Sequence, residues 1–105
     1  MNNSTIFPDL KGRSVFITGG GSGIGRCTAH GLAALGAQVI LVGRSQDKLG
    51  AVVAEIIQDG GLADSFAFDI RDEAAVSNNI AAIIAKHGHI HGLVNNAGGQ
   101  YPAPL

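Results

Sequence analysis

Apolar residues along the 105-residue chain fall into short unbroken runs, separated by longer segments in which they recur every three or four positions. The first run, Ser14 to Thr18, is flanked by glycines and fits a strand covered on both faces. From Ile24 onward, Ile24, Cys27, Thr28, Leu32 and Leu35 repeat at helical spacing, with Ala29, Ala33 and Ala34 adding helix propensity and close packing, which predicts a helix ending at Gly36. Gln38 to Val42 is a second continuous run, and a strand-helix-strand unit of this length demands a parallel crossover. Ser45 fits an N-cap, followed by Leu49, Val52, Val53, Ile56 and Ile57 on one face of a second helix that stops at Gly60 and Gly61. A third strand is expected over Ser65 to Asp69. A third helix opens at Asp72 and Glu73, carries Val76, Ile80, Ile83 and Ile84 on one stripe, and closes at Gly88. A short fourth strand is expected over Leu93 to Asn96. Residues 1–13 read as a lead-in with Leu10 tucked under the first strand, while Pro102 and Pro104 exclude regular structure from the tail. Strict alternation of strand and helix, with no repeat or low-complexity linker, places the chain in the α/β class as a doubly wound parallel sheet.

Composition narrows the function classes. With 46% hydrophobic and 14% charged residues the chain is a well-buried globular domain, and a net charge of −1 leaves no basic footprint for a nucleic-acid partner. The single Cys27 excludes an internal disulfide and a zinc pattern, and reads as a small buried residue on the first helix. No run approaches the roughly 18 apolar residues of a membrane span, and no leader pattern precedes the first strand. The expectation is a soluble, cytoplasmic protein with no membrane partner.

Sixteen glycines are about twice ordinary usage of roughly 7%, and five of them occupy the seven positions from Gly19 to Gly25. Glycine permits positive φ and close approach to the main chain, so a loop of this kind between strand and helix suits a phosphate cradle at a helix N-terminus. Spacing decides which cradle. A P-loop fails because Arg26 and Cys27 stand where Lys and Ser or Thr are needed, and Gly-x-Gly-x-x-Gly fails in every register. The pattern present is Thr18-Gly19-x-x-x-Gly23-x-Gly25, and Asn95-Asn96-Ala97-Gly98 follows the fourth strand some seventy residues later.

Together these two motifs resemble the short-chain dehydrogenase/reductase family, and with Asp69-Ile70 the resemblance runs from about residue 10 to 105. It implies a partial Rossmann-type sheet, β-α-β-α-β-α-β with strand order 3-2-1-4, forming a single dinucleotide-binding portion over 1–105. By the resemblance Thr18 opens the cofactor-binding motif and Gly19, Gly23, Ile24 and Gly25 line the pyrophosphate, Asp69 and the Ile70 backbone meet the adenine edge, and Asn96, Ala97 and Gly98 pass beside the adenosine ribose. Taken alone, Asp69 also fits a strand end or helix cap, and Asn95 and Asn96 fit turn formers.

Cofactor choice is argued from charge. An acid at the end of the second strand would accept the 2′-hydroxyl of NAD, but the chain there reads Val42-Gly43-Arg44-Ser45, with no acid before Asp47. Arg44 has the fork for a 2′-phosphate, with Ser45 and Ser22 as hydroxyl donors, and one charge-assisted bond is worth roughly 1.5–3 kcal/mol, about 10- to 150-fold in affinity. The expectation is NADP(H) over NAD(H); the alternative for Arg44 is a solvated surface charge.

The family's catalytic Tyr and Lys, four apart, have no counterpart. Tyr101 is the only tyrosine and Leu105 stands four residues on, so no catalytic residue is assigned and the chain is expected to bind without turnover, its catalytic half absent. Asn95 to Pro104 resembles the branch acting on acyl-CoA substrates, some of whose members reduce enoyl-CoA double bonds. The expected function is the cofactor-binding portion of an NADP(H)-dependent oxidoreductase acting on a carbonyl, alcohol or enoyl-CoA. The alternative is a stand-alone nucleotide-binding module. His87, His89 and His91 alternate, but no Cys or nearby acid completes a ligand set, so no metal is expected. His91 replaces the family's common Asp, affecting only a local contact. The edge of the fourth strand, beside Leu93 and Val94, predicts self-association.

Overall fold

The computed structural model describes residues 10–21 and 23–96. Among these residues seven elements alternate: β1 (Ser14–Thr18), α1 (Gly23–Ala34), β2 (Gln38–Gly43), α2 (Gln46–Gln58), β3 (Leu62–Ala67), α3 (Glu73–His87) and β4 (Gly92–Asn95). The four strands form one parallel sheet in the order β3-β2-β1-β4.

The apolar runs become the two central strands. Every residue of β1 is buried, and Val39, Ile40, Leu41 and Val42 of β2 have no exposed surface. Because successive side chains of a strand point to opposite faces, the two strands feed two cores. Val15, Ile17, Val39 and Leu41 pack with Ala29 and Ala33 of α1 and Leu49, Val52 and Ile56 of α2. Phe16, Ile40 and Val42 pack on the other face with Phe68 and Ile83 of α3. Each fully buried Ile or Leu contributes about 1.5–3 kcal/mol of transfer free energy, so the central strands set the fold and the helices cover them.

Side-chain caps fix where two helices start. Ser45 accepts a hydrogen bond from the Lys48 N–H at 3.3 Å, and Asp72 accepts one from the Ala75 N–H at 3.1 Å. Each satisfies a first-turn donor that the helix itself cannot pair.

Three sequence expectations are corrected. The third strand runs over Leu62–Ala67 rather than Ser65 to Asp69, beginning directly after Gly61. Asp64 interrupts its apolar pattern, yet its carboxylate accepts hydrogen bonds from Lys86 Nζ and His87 Nε2 of α3, both at 2.8 Å. Burial pushes the Asp64 carboxyl up, and these two bonds with the Ser65 N–H outweigh it and bring it below the ordinary value.

On α1 the close packing expected of Ala29 and Ala33 is found, but the larger residues of the repeat do not share the inner face. Gly25, Ala29 and Ala33 are buried, whereas Ile24 is 74% exposed. Three small residues four apart let the helix axis come close to the sheet, a placement that a stripe of larger side chains would prevent. Cys27, expected inside, is therefore exposed. Ile57 and Ile84, expected on the inner stripes, lie at their margins and are 56% and 48% exposed.

Candidate functional site

Register brings the strand ends together. Thr18 lies level with Val42 of β2 and Asn95 of β4, and Gly43 lies level with Ala67 of β3. The segments that leave these strands, starting at Gly19, Arg44, Phe68 and Asn96, therefore emerge side by side along the carboxyl edge. The chain continues from β1 toward β2 on one side and returns to β4 on the other, which makes the β1/β4 boundary the switch point where doubly wound sheets leave a crevice.

At that boundary the two glycine- and asparagine-containing motifs are in contact. Thr18 Oγ1 accepts the Asn96 N–H at 2.9 Å and donates to Asn95 Oδ1 at 3.1 Å. One hydroxyl thus ties the last residue of β1 to the segment leaving β4. Gly19 and Gly23 have φ of 68° and 61°, in the left-handed region where a side chain is strained, and the Gly19 N–H bonds the Val42 carbonyl at 2.8 Å. Gly25 is required by space rather than φ. A Cβ there would overlap the Gly19 carbonyl oxygen and stand 2.8 Å from Asn96 Nδ2. A Cβ on Gly20 would stand 2.8 Å from Leu41 Cδ2.

This geometry fits a pyrophosphate. The loop turns sharply enough for α1 to begin at Gly23, and the first turn of α1 carries no acid to compete for the positive end of its dipole. Ile24 is exposed beside it. A bound dinucleotide would be held by Gly19, Gly23, Ile24 and Gly25. Ser22, Ala97 and Gly98, the remaining members of the two motifs, lie outside the described residues, as do Tyr101 and the proline-containing tail.

Arg44 and Ser45 connect β2 to α2, both exposed. Among the described residues Arg44 makes no hydrogen bond or ion pair, although its charge acts on Asp69 in the neighbouring loop. The Ser45 oxygen accepts the cap bond, which leaves its hydroxyl proton available to donate. Asp69 is held by Arg71, a residue sequence reasoning passed over. Oδ1 accepts the Arg71 N–H at 2.9 Å and Nε at 3.1 Å, and Oδ2 accepts Nη2 at 3.0 Å. These side-chain bonds, then the backbone bond, and the fields of Arg71 and Arg44 lower the Asp69 carboxyl to about 2. Ile70, next to it, is 41% exposed. The Asp-x-Arg spacing was the available signal for this pairing.

The histidines divide among structural partners. His87 pairs with Asp64, an acid 23 residues earlier that the local sequence did not reveal, and His91 Nδ1 accepts the Ser14 N–H at 3.0 Å. Among the described residues no three His, Cys, Asp or Glu side chains are grouped to hold a metal ion. None of the helices there is long and apolar enough to cross a membrane. A hollow of about 310 Å³ between α1 and α2, lined by His30, Ile56 and Asp59 among others, opens at the opposite end of the sheet and includes none of these loop residues.

Comparison with known proteins agrees with the geometry. The family model described as short chain dehydrogenase matches residues 13–105. The chain is 42% identical over 103 residues to a Caenorhabditis elegans protein named probable 2,4-dienoyl-CoA reductase 3, covering 94% of this chain and 33% of that one. A solved structure of a citronellol catabolism dehydrogenase (AtuB) from Pseudomonas aeruginosa PAO1 superposes with a TM-score of 0.84 at 56% identity, over 93% of this chain and 40% of that one. A metagenomic short-chain oxidoreductase solved in complex with NADP gives a TM-score of 0.83 at 41% identity, over 86% of this chain and 41% of that one. The chain thus spans one third to two fifths of the length of these proteins. With both motifs meeting at the switch point of a four-stranded Rossmann-type sheet, the chain belongs to the short-chain dehydrogenase/reductase family of oxidoreductases.

Proposed function

We propose that this chain is the cofactor-binding portion of an NADP(H)-dependent oxidoreductase. On this reading the pyrophosphate lies on Gly19, Gly23, Ile24 and Gly25, with Thr18 fixing the end of β1 beneath them, the 2′-phosphate meets Arg44 with Ser45 and Ser22 as hydroxyl donors, the adenine meets Asp69 and the Ile70 backbone, and the adenosine ribose passes beside Asn96, Ala97 and Gly98. The observation that carries it is Arg44. At the end of β2, where an acid would favour a ribose hydroxyl, the chain presents a guanidinium that makes no hydrogen bond or ion pair among the described residues.

A bound nicotinamide would supply the hydride. The residues of this chain bind and orient: the left-handed Gly19 and Gly23 make the sharp turn that sets the N-terminus of α1 at the proposed phosphate position, and Gly25 lets α1 approach the loop. Proton transfer belongs to a Tyr-x-x-x-Lys pair that these 105 residues do not contain, so on this reading they bind without turnover. The NADP complex of the metagenomic relative supports the cofactor class, and the dienoyl-CoA reductase supports an acyl-CoA among the carbonyl, alcohol and enoyl substrates of the whole enzyme.

The test is dissociation constants for NADPH and NADH, with wild type and Arg44→Ala. Wild type should favour NADPH, and the variant should lose about 10- to 150-fold of that preference. An unchanged NADPH:NADH ratio would refute the assignment.

A further inference from the structure

Two guanidinium groups and one carboxylate share the loops after β2 and β3, and only one of the two cations is committed to the acid. Arg71 grips Asp69 through Nε, Nη2 and its own N–H, at 2.9 to 3.1 Å. Arg44, close enough for its charge to act on Asp69, makes no hydrogen bond to it. Without Arg71 the Asp69 oxygens would lose these three bonds, and Arg44 is the other cation whose charge acts on them. The carboxylate would also stand uncompensated beside the place where Arg44 is to meet a phosphate.

We propose that Arg71 determines cofactor specificity indirectly, by occupying and neutralising Asp69 so that Arg44 remains free for the 2′-phosphate of NADP(H). This rests on the dinucleotide reading above. Arg71 is a positioning residue in this scheme: it acts through Asp69 and Arg44 and does not itself touch the phosphate. Both ion-pair partners are substantially exposed, with side-chain exposures of 68% for Arg71 and 36% for Asp69. The effect is accordingly a modest one and sensitive to salt.

The scheme separates two kinds of loss. NADPH and NADH share the adenine, so any damage to the adenine contact through Asp69 weakens both alike and leaves their ratio unchanged. Losing Arg44 to Asp69, or leaving the carboxylate bare, weakens only the ligand that carries the additional phosphate.

The experiment measures NADPH and NADH dissociation constants for wild type, Arg71→Ala, Asp69→Asn and the double variant at low ionic strength. Circular dichroism verifies that each retains the fold. Arg71→Ala should lower the NADPH:NADH preference roughly 3- to 5-fold, the scale of an exposed ion pair. Adding Asp69→Asn should restore that preference, because the competing carboxylate is gone. An unchanged ratio in Arg71→Ala overturns the proposal. So does a ratio that stays low in the double variant, which would mean that Arg71 meets the phosphate directly. Failure of the underlying reading looks different: wild type would show no NADPH preference, or Arg44→Ala would leave it intact.

Discussion

Replacing Gly25 by alanine tests the contact on which the whole site depends. The added Cβ overlaps the Gly19 carbonyl oxygen and meets Asn96 Nδ2 at 2.8 Å, so α1 cannot stay where it is without displacing either the loop or the segment after β4. Overpacking a rigid contact costs about 1–3 kcal/mol, and a clash with backbone belongs at the upper end. Alanine in place of glycine in a helix gains back up to about 1 kcal/mol, which leaves a net loss near 2 kcal/mol. Gly31 in the same helix is the internal control: a Cβ there meets nothing within 4 Å, so Gly31→Ala should gain about 0.5–1 kcal/mol. Thermal unfolding should therefore separate the two variants in opposite directions. For a domain of this size about 1 kcal/mol moves Tm by 4–8 °C, so Gly25→Ala should melt roughly 8–16 °C below wild type. Its dinucleotide affinity should fall as well, since Gly19 is displaced from its turn, while Gly31→Ala binds as wild type does. If Gly25→Ala melts at or above wild type, the close approach of helix and loop is not what glycine is there for.

Two further outcomes follow from charge and from the sheet edge. Arg26 bonds Glu55 at 2.9 and 2.8 Å, and with the His30 bond this lowers the Glu55 carboxyl to about 2, the level to which Arg71 brings Asp69. With folded values below the ordinary 4.5 and 3.8, the unfolded chain binds more protons in acid; these pairs contribute fully above about pH 4.5 and are lost toward pH 2. Urea unfolding across that range should show the midpoint fall, less steeply in Glu55→Gln; equal slopes would discount the Arg26 pair. Among the described residues β4 is an edge strand with Leu93 66% exposed, and we expect weight-average sedimentation coefficients to rise with concentration, less so for Leu93→Lys. A monomer at every concentration would refute pairing through that edge.

Much of the fold was legible because its punctuation is local. Ser45 caps the helix it was expected to cap, α3 opens where Asp72 and Glu73 were expected to start it, with Asp72 and not Asp69 as its cap, and the continuous runs at Ser14 to Thr18 and Gln38 to Val42 lie in the two central strands. What escaped depends on partners distant in sequence. Asp64 belongs in a strand because Lys86 and His87 reach it from α3. On α1 the close packing expected of Ala29 and Ala33 holds, whereas Ile24 and Cys27 lie outside the inner face, because the site needs small residues where helix and loop converge. Both glycine and asparagine motifs could be read directly, but not the hydroxyl of Thr18 that joins them; the Arg71 grip on Asp69 is local, and its Asp-x-Arg spacing was there to be read.

The Asp64 cluster also gives the sheet a direction. Midway along β3, the outer strand on that side, stands a carboxylate with an ammonium and an imidazole on it, and any strand added there would have to pass those charges. Among the described residues the opposite border, at β4, carries Leu93 and Val94 and no such ion-paired cluster. A strand that joins this sheet is therefore expected beyond β4 rather than beyond β3.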